Sequence, residues 1–62
     1  MFIVQVRYRT NGRYQYAYFN ELGNITTERK YAHRFNRRDS AEQFSRILTK
    51  HTIYEGRVKH VD

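Results

Sequence analysis

The Asn11-Gly12 pair stands between two runs, FIVQVRYR (residues 2–9) and RYQYAYF (13–19), that alternate in polarity and are rich in β-branched and aromatic residues. Both central positions of a type I′ turn need positive φ, which Asn and Gly tolerate best, so the pair predicts a two-residue β-hairpin. Such a turn also sets the register. Thr10 meets Arg13, Tyr8 meets Gln15, Val6 meets Ala17 and Val4 meets Phe19, while in the alternate positions Arg9 meets Tyr14, Arg7 meets Tyr16 and Gln5 meets Tyr18. One side of the hairpin is then apolar and the other carries Arg and Tyr.

The rest of the chain reads almost without gaps. FNELGNI (19–25) is a second turn, with Glu21 and Leu22 right-handed and Gly23 supplying the left-handed residue of a three-residue hairpin loop. It leads into a third strand near Ile25 to Phe35, which would set Phe19 against Ile25 and place Tyr18, Tyr16 and Tyr14 against Thr26, Glu28 and Lys30. RDSAEQFSRILTKH (38–51) changes period: Ala41, Phe44, Ile47, Leu48 and His51 recur at helical spacing. An Asp39 or Ser40 cap precedes them, with Glu42 or Gln43 three residues on. TIYEGRVKHV (52–61) reads as a last strand beside the first, with Gly56 as a bulge and Val58 and Tyr54 extending the core.

The expected fold class is therefore α+β, a four-stranded mainly antiparallel sheet in the order β-β-β-α-β with one helix packed on one face. There is no Pro, repeat or Gly/Ser tract to divide the chain, so residues 1–62 are expected to form a single domain. The expected core is Phe2, Val4, Val6, Ala17, Phe19, Ile25, Phe35, Ala41, Phe44, Ile47, Leu48 and Val58. A chain of 62 residues buries only about 60% of its unfolded surface, so that core is small.

Charge and cysteine content narrow the function. Without Cys there are neither disulfides nor thiolate metal sites, which fits a reducing, cytoplasmic setting, the host cell's if the chain is phage-encoded. No apolar run approaches the roughly 20 residues of a membrane span, and MFIVQV is too short for a signal-peptide core. Lys and Arg number 12 against 6 Asp and Glu, a formal charge of +6 that favours an acidic partner. Membrane-surface binding ranks last, because the polar side of the predicted helix offers only Arg46 and Lys50 as cations beside Glu42.

With the helix covering the apolar side of the sheet, the Arg/Tyr side is left to solvent. Arg7, Arg9, Tyr14, Tyr16, Tyr18 and Lys30 on that face, with Arg13 and Arg34 as further phosphate contacts, combine cations that displace counterions from phosphates with rings on which bases stack. The same residues are also ordinary cross-strand partners on a solvated sheet, and Tyr and Arg equally dominate protein interfaces. A second basic cluster, HRFNRRDS (33–40), sets Arg34, Arg37 and Arg38 beside the helix N-terminus, where a phosphate could be held, or where they pair with Asp39, Glu42 and solvent.

Catalysis and metals find little support. His33, His51 and His60 follow no ligand spacing, and Ser40 is explained as a cap. The expected protein is not an enzyme and carries no cofactor or metal.

Residues 11–48 resemble the arm-type DNA-binding domain of tyrosine-recombinase integrases, through Gly12, Tyr14, Tyr16, Gly23, Phe35 and Ala41. The resemblance implies a three-stranded sheet packed on one helix that enters the DNA major groove, with Tyr14, Tyr16, Arg29, Lys30 and Arg34 as contacts, and it places DNA ahead of RNA. The strand that is aromatic-Arg in that family reads Tyr16-Ala17-Tyr18 here, and the strand at 52–61 is additional. In size and charge the chain also resembles the small accessory proteins of bacteriophages. That resemblance implies the competing function, inhibition of an acidic host protein through the same face or through an exposed strand edge, which could also pair two copies into a homodimer.

Overall fold

The computed structural model describes residues 1–61. Strand β1 (Phe2–Thr10) turns through Asn11 and Gly12 into β2 (Arg13–Phe19), with φ of 50° and 75° at the two turn residues, as a type I′ turn requires. The pairs are those the turn dictates, from Thr10 with Arg13 to Gln5 with Tyr18. The loop after β2 closes on Asn20, whose Oδ1 accepts the N–H groups of Leu22 and Asn24 at 2.9 and 3.0 Å. Gly23 takes φ of 81°, and Phe19 pairs with Ile25.

Beyond that point the third strand differs from expectation. β3 is only Ile25–Thr26 and does not run to Phe35. Thr26 Oγ1 accepts the Glu28 N–H at 3.2 Å, a local turn that competes with the ladder, and Arg29–Tyr31 coils into one 3₁₀ turn. Glu28, Arg29 and Lys30 have no strand preference to resist this. The chain then crosses the end of the sheet. The His33 N–H donates to the Phe19 carbonyl, and Phe35 exchanges two backbone hydrogen bonds with Phe2 at 2.7 and 2.8 Å.

Helix α1 (Arg38–His51) is followed by β4 (Glu55–His60), which pairs antiparallel with β1 from Phe2–His60 to Arg7–Glu55. The sheet is open and antiparallel in the order β3-β2-β1-β4, with α1 packed on one side, which is an α+β fold. The helix starts at an Arg37 cap position with no side-chain cap, so neither Asp39 nor Ser40 fills that role. It ends at Thr52, whose Oγ1 donates to the Leu48 carbonyl at 2.6 Å and accepts the Tyr54 N–H at 3.0 Å. This turn delays β4 to Glu55, later than the expected start at residue 52.

Between helix and sheet, Val4, Val6, Ala17, Ala41 and Leu48 are buried, with Phe2, Tyr8, Phe19, Phe35, Phe44, Tyr54 and Val58 packed around them. The helix's inward stripe is Ala41, Phe44, Ser45 and Leu48, at the i, i+3, i+4, i+7 spacing. Ile47 and His51 fall outside it, Ile47 being half exposed, and Ile25 lies on an edge too short to be covered. Gly56 is not a bulge, because the β1–β4 register runs through it unbroken. Its lack of a side chain serves the helix contact: a Cβ there would stand 2.6 Å from Ser45 Oγ.

A second, smaller core lies on the opposite side of the sheet. Ile3, Ala32 and Val61 are buried together with Tyr18 packed against them. The segment that left the third strand therefore covers one end of the face expected to be open.

Candidate nucleic-acid interface

Directly paired residues share a face, so the side of the sheet away from α1 carries Ile3, Gln5, Arg7 and Arg9 from β1, and Tyr14, Tyr16 and Tyr18 from β2. β4 adds Glu55, Arg57 and Lys59. Ile3 and Tyr18 belong to the small covered core, and the remainder of the face is open.

Two tyrosines dominate the open part. Tyr14 and Tyr16 are 52% and 55% exposed, side by side on the same strand face. Arg7 lies over the Tyr14 ring with its Cζ 4.5 Å from the centroid, and Arg9 approaches the same ring at 5.8 Å. Arg7 also donates to Glu55 Oε2 at 2.7 Å. That hydrogen bond and the carboxylate's charge push the Arg7 guanidinium above its ordinary value, with Tyr14 and Tyr16 acting in the same direction. Arg7 thus stands between the Glu55 carboxylate and the Tyr14 ring. Glu55 is the one acidic residue among these strand positions.

β4 supplies cations that the hairpin-centred reading overlooked. Arg57 and Lys59 are exposed, point to the Arg/Tyr side, and make no ion pair among the described residues. The alternation that sends Val58 inward sends both of them outward, so the signal was present in GRVKHV. A bulge at Gly56 would have obscured it by changing the facing of every residue after it.

Two concavities open on this face. One, of about 370 Å³, is lined by Gln5, Arg7, Tyr16, Glu55, Arg57 and Lys59, with Thr49 and Gly56 at its β4 edge. The other, of about 230 Å³, lies against the 3₁₀ segment and includes Gln5, Tyr18, Arg29 and Lys59. They share Gln5 and Lys59. Gln5 Nε2 reaches the Tyr18 hydroxyl at 3.5 Å, so the floor between them is polar.

The other expected site residues lie elsewhere. Arg13 shares the parity of Gln15 and Ala17, which puts it on the helix side of the sheet near its free end. Lys30 is in the 3₁₀ turn instead of opposite Tyr14, 3.7 Å from Glu28 and over the Tyr31 ring at 5.1 Å. With Arg34 it lines a separate concavity of about 410 Å³ beside the Asn20 loop. At the helix start, Arg37 bonds Asp39 and Arg38 bonds Glu42, each at 3.1 Å, and Arg38 also lies 6.0 Å from the Phe2 ring. Of the contacts implied by the integrase resemblance, Arg29 joins the Tyr face through the smaller concavity, whereas Lys30 and Arg34 do not line either of its two concavities.

Among the described residues no three His, Asp or Glu side chains gather where they could hold a metal ion, and no helix is long and apolar enough to cross a membrane. His60 stacks edge-on to Phe2, and His33 edge-on to Phe35. No protein family, curated protein or solved structure matches this chain.

Proposed function

We propose that this chain is a small, non-catalytic nucleic-acid-binding protein that uses the open sheet face. Arg7, Arg9, Arg57 and Lys59 meet phosphates, and Tyr14 and Tyr16 supply stacking surfaces. The observation that carries the reading is the pair of half-exposed rings on β2, held in place by strand pairing and flanked by cations on both neighbouring positions of β1. Exposed aromatic rings on a regular sheet do nothing for the core, while every base offers a π-face to them. DNA is the first ligand to test, because the arm-type resemblance favours it.

The test is fluorescence anisotropy with labelled duplex DNA, single-stranded DNA and RNA at two salt concentrations, using the wild type and a Tyr14→Ala/Tyr16→Ala variant checked for folding by circular dichroism. Micromolar or tighter binding that weakens log-linearly with salt and is lost in the variant is the expected result. If none of the three binds at low salt, the reading fails and a protein partner becomes the occupant to seek on this face.

A further inference from the structure

We infer that the ligand of this face is an unpaired strand lying in the trough over Gln5, and that Arg57 and Lys59 are its main phosphate contacts. This inference rests on the nucleic-acid reading above and specifies the class of strand. The two concavities of about 370 and 230 Å³ share Gln5 and Lys59, so they form one path along β1 and β4. From the Arg7–Glu55 pair to the Ile3–Lys59 pair β1 advances four residues, about 13 Å at ~3.3 Å per residue. That is the length of about four stacked nucleotides at ~3.4 Å each, the lower end of the site sizes of small single-strand binders.

Shape and charge agree on the occupant. Entry into a duplex major groove requires a protein ridge, such as a helix or a two-stranded ribbon, whereas the ligand-sized space on this face is the two hollows between side chains over Gln5 and Lys59. The segment carrying Arg29 and Ala32 stands over its Ile3 end and forms a wall. Tyr16 sits in the larger concavity with its ring half exposed, and a base can lie flat on such a ring only when it is free of its own partner and neighbours. Along the path the cations are Arg7, Arg57, Lys59 and Arg29, and the single carboxylate, Glu55, is already bonded to Arg7.

The deciding experiment titrates the full chain into a labelled thymidine oligomer of about 12 nucleotides, within the known range of site sizes, an abasic oligomer of the same length, and a hairpin duplex. The variants are Arg57→Gln/Lys59→Gln, Tyr16→Ala, and Tyr16→Leu as a substitution that keeps the strand covered. The thymidine oligomer is expected to bind at least tenfold more tightly than the abasic oligomer or the duplex. Either Tyr16 variant should weaken it by about tenfold, within the range of one lost base stack. The Arg57/Lys59 variant should lower the slope of log affinity against log salt by about 1.4, at ~0.7 per phosphate contact on a single strand. Duplex binding equal to or tighter than the oligomer overturns the inference and leaves the broader reading standing. So does an unchanged salt slope in the Arg57/Lys59 variant when the Tyr14/Tyr16 variant has lost binding. Failure of all three probes at low salt ends the inference, and failure of single-stranded RNA as well ends both.

Discussion

At Gly56 the helix lies against the backbone of the sheet. A Cβ at that position would meet Ser45 Oγ at 2.6 Å, Ser45 Cα at 3.1 Å and Ser45 Cβ at 3.2 Å, so a hydroxyl rotation alone would not make room. The Gly56 N–H also donates to Thr49 Oγ1 at 3.0 Å, which occupies one backbone donor of β4. Gly56→Ala is expected to destabilise the fold by about 1–3 kcal/mol, the usual cost of overpacking, measured by urea denaturation. Wild-type stability in that variant would mean that α1 can shift away from β4 freely. Glu55 makes a different residue-scale prediction. Glu55→Gln removes the one carboxylate among the strand positions of the open face and releases Arg7, so nucleic-acid affinity should rise, by a factor that shrinks as salt is added. Weaker or unchanged binding would place the ligand away from the Arg7 side of the trough.

At the scale of elements, helix α1 is set by its inward stripe. Leu48 is 7% exposed and belongs to the core, while its neighbour Ile47 is 51% exposed, one step of about 100° around the helix. Leu48→Ala should therefore cost about 2–5 kcal/mol, enough to unfold much of so small a domain, and Ile47→Ala should stay within about 0.5 kcal/mol of wild type. Equal losses in the two melting curves would show that the helix is rotated from the orientation described. Phe44 bridges the aromatic layer, with Phe19 at 5.8 Å and Phe35 at 5.6 Å between ring centroids. Through Phe35 it also ties the helix to the segment that pairs with Phe2. The third strand shows the limit of local pattern. Its first two residues follow the turn register, and the rest leaves the sheet because Thr26 and Glu28 form their own turn and Ala32 gains a buried place against Ile3.

At the scale of the whole molecule, one sheet separates two unequal layers. The helix layer holds most of the apolar burial and the second layer only the Ile3, Ala32 and Val61 cluster, which leaves the remainder of that side for the Arg/Tyr surface. The hairpin register, the helix bounds, the strand order and the placement of Arg7, Arg9, Tyr14, Tyr16 and Tyr18 on one face were determined by the sequence itself, since turn chemistry and side-chain period act between near neighbours. Arg57 and Lys59 were legible in the same way once Gly56 is understood as a packing contact and not a bulge. The tertiary structure alone decided the rest: that Lys30 leaves the Tyr face for a hollow beside the Asn20 loop that it lines with Arg34, that Ile3 is buried, and that Arg7 pairs with Glu55, 48 residues away. The physical reason is that each of these depends on which segment comes to lie over the sheet. That choice is made by competition for a small apolar area, and no local pattern in the chain records its outcome.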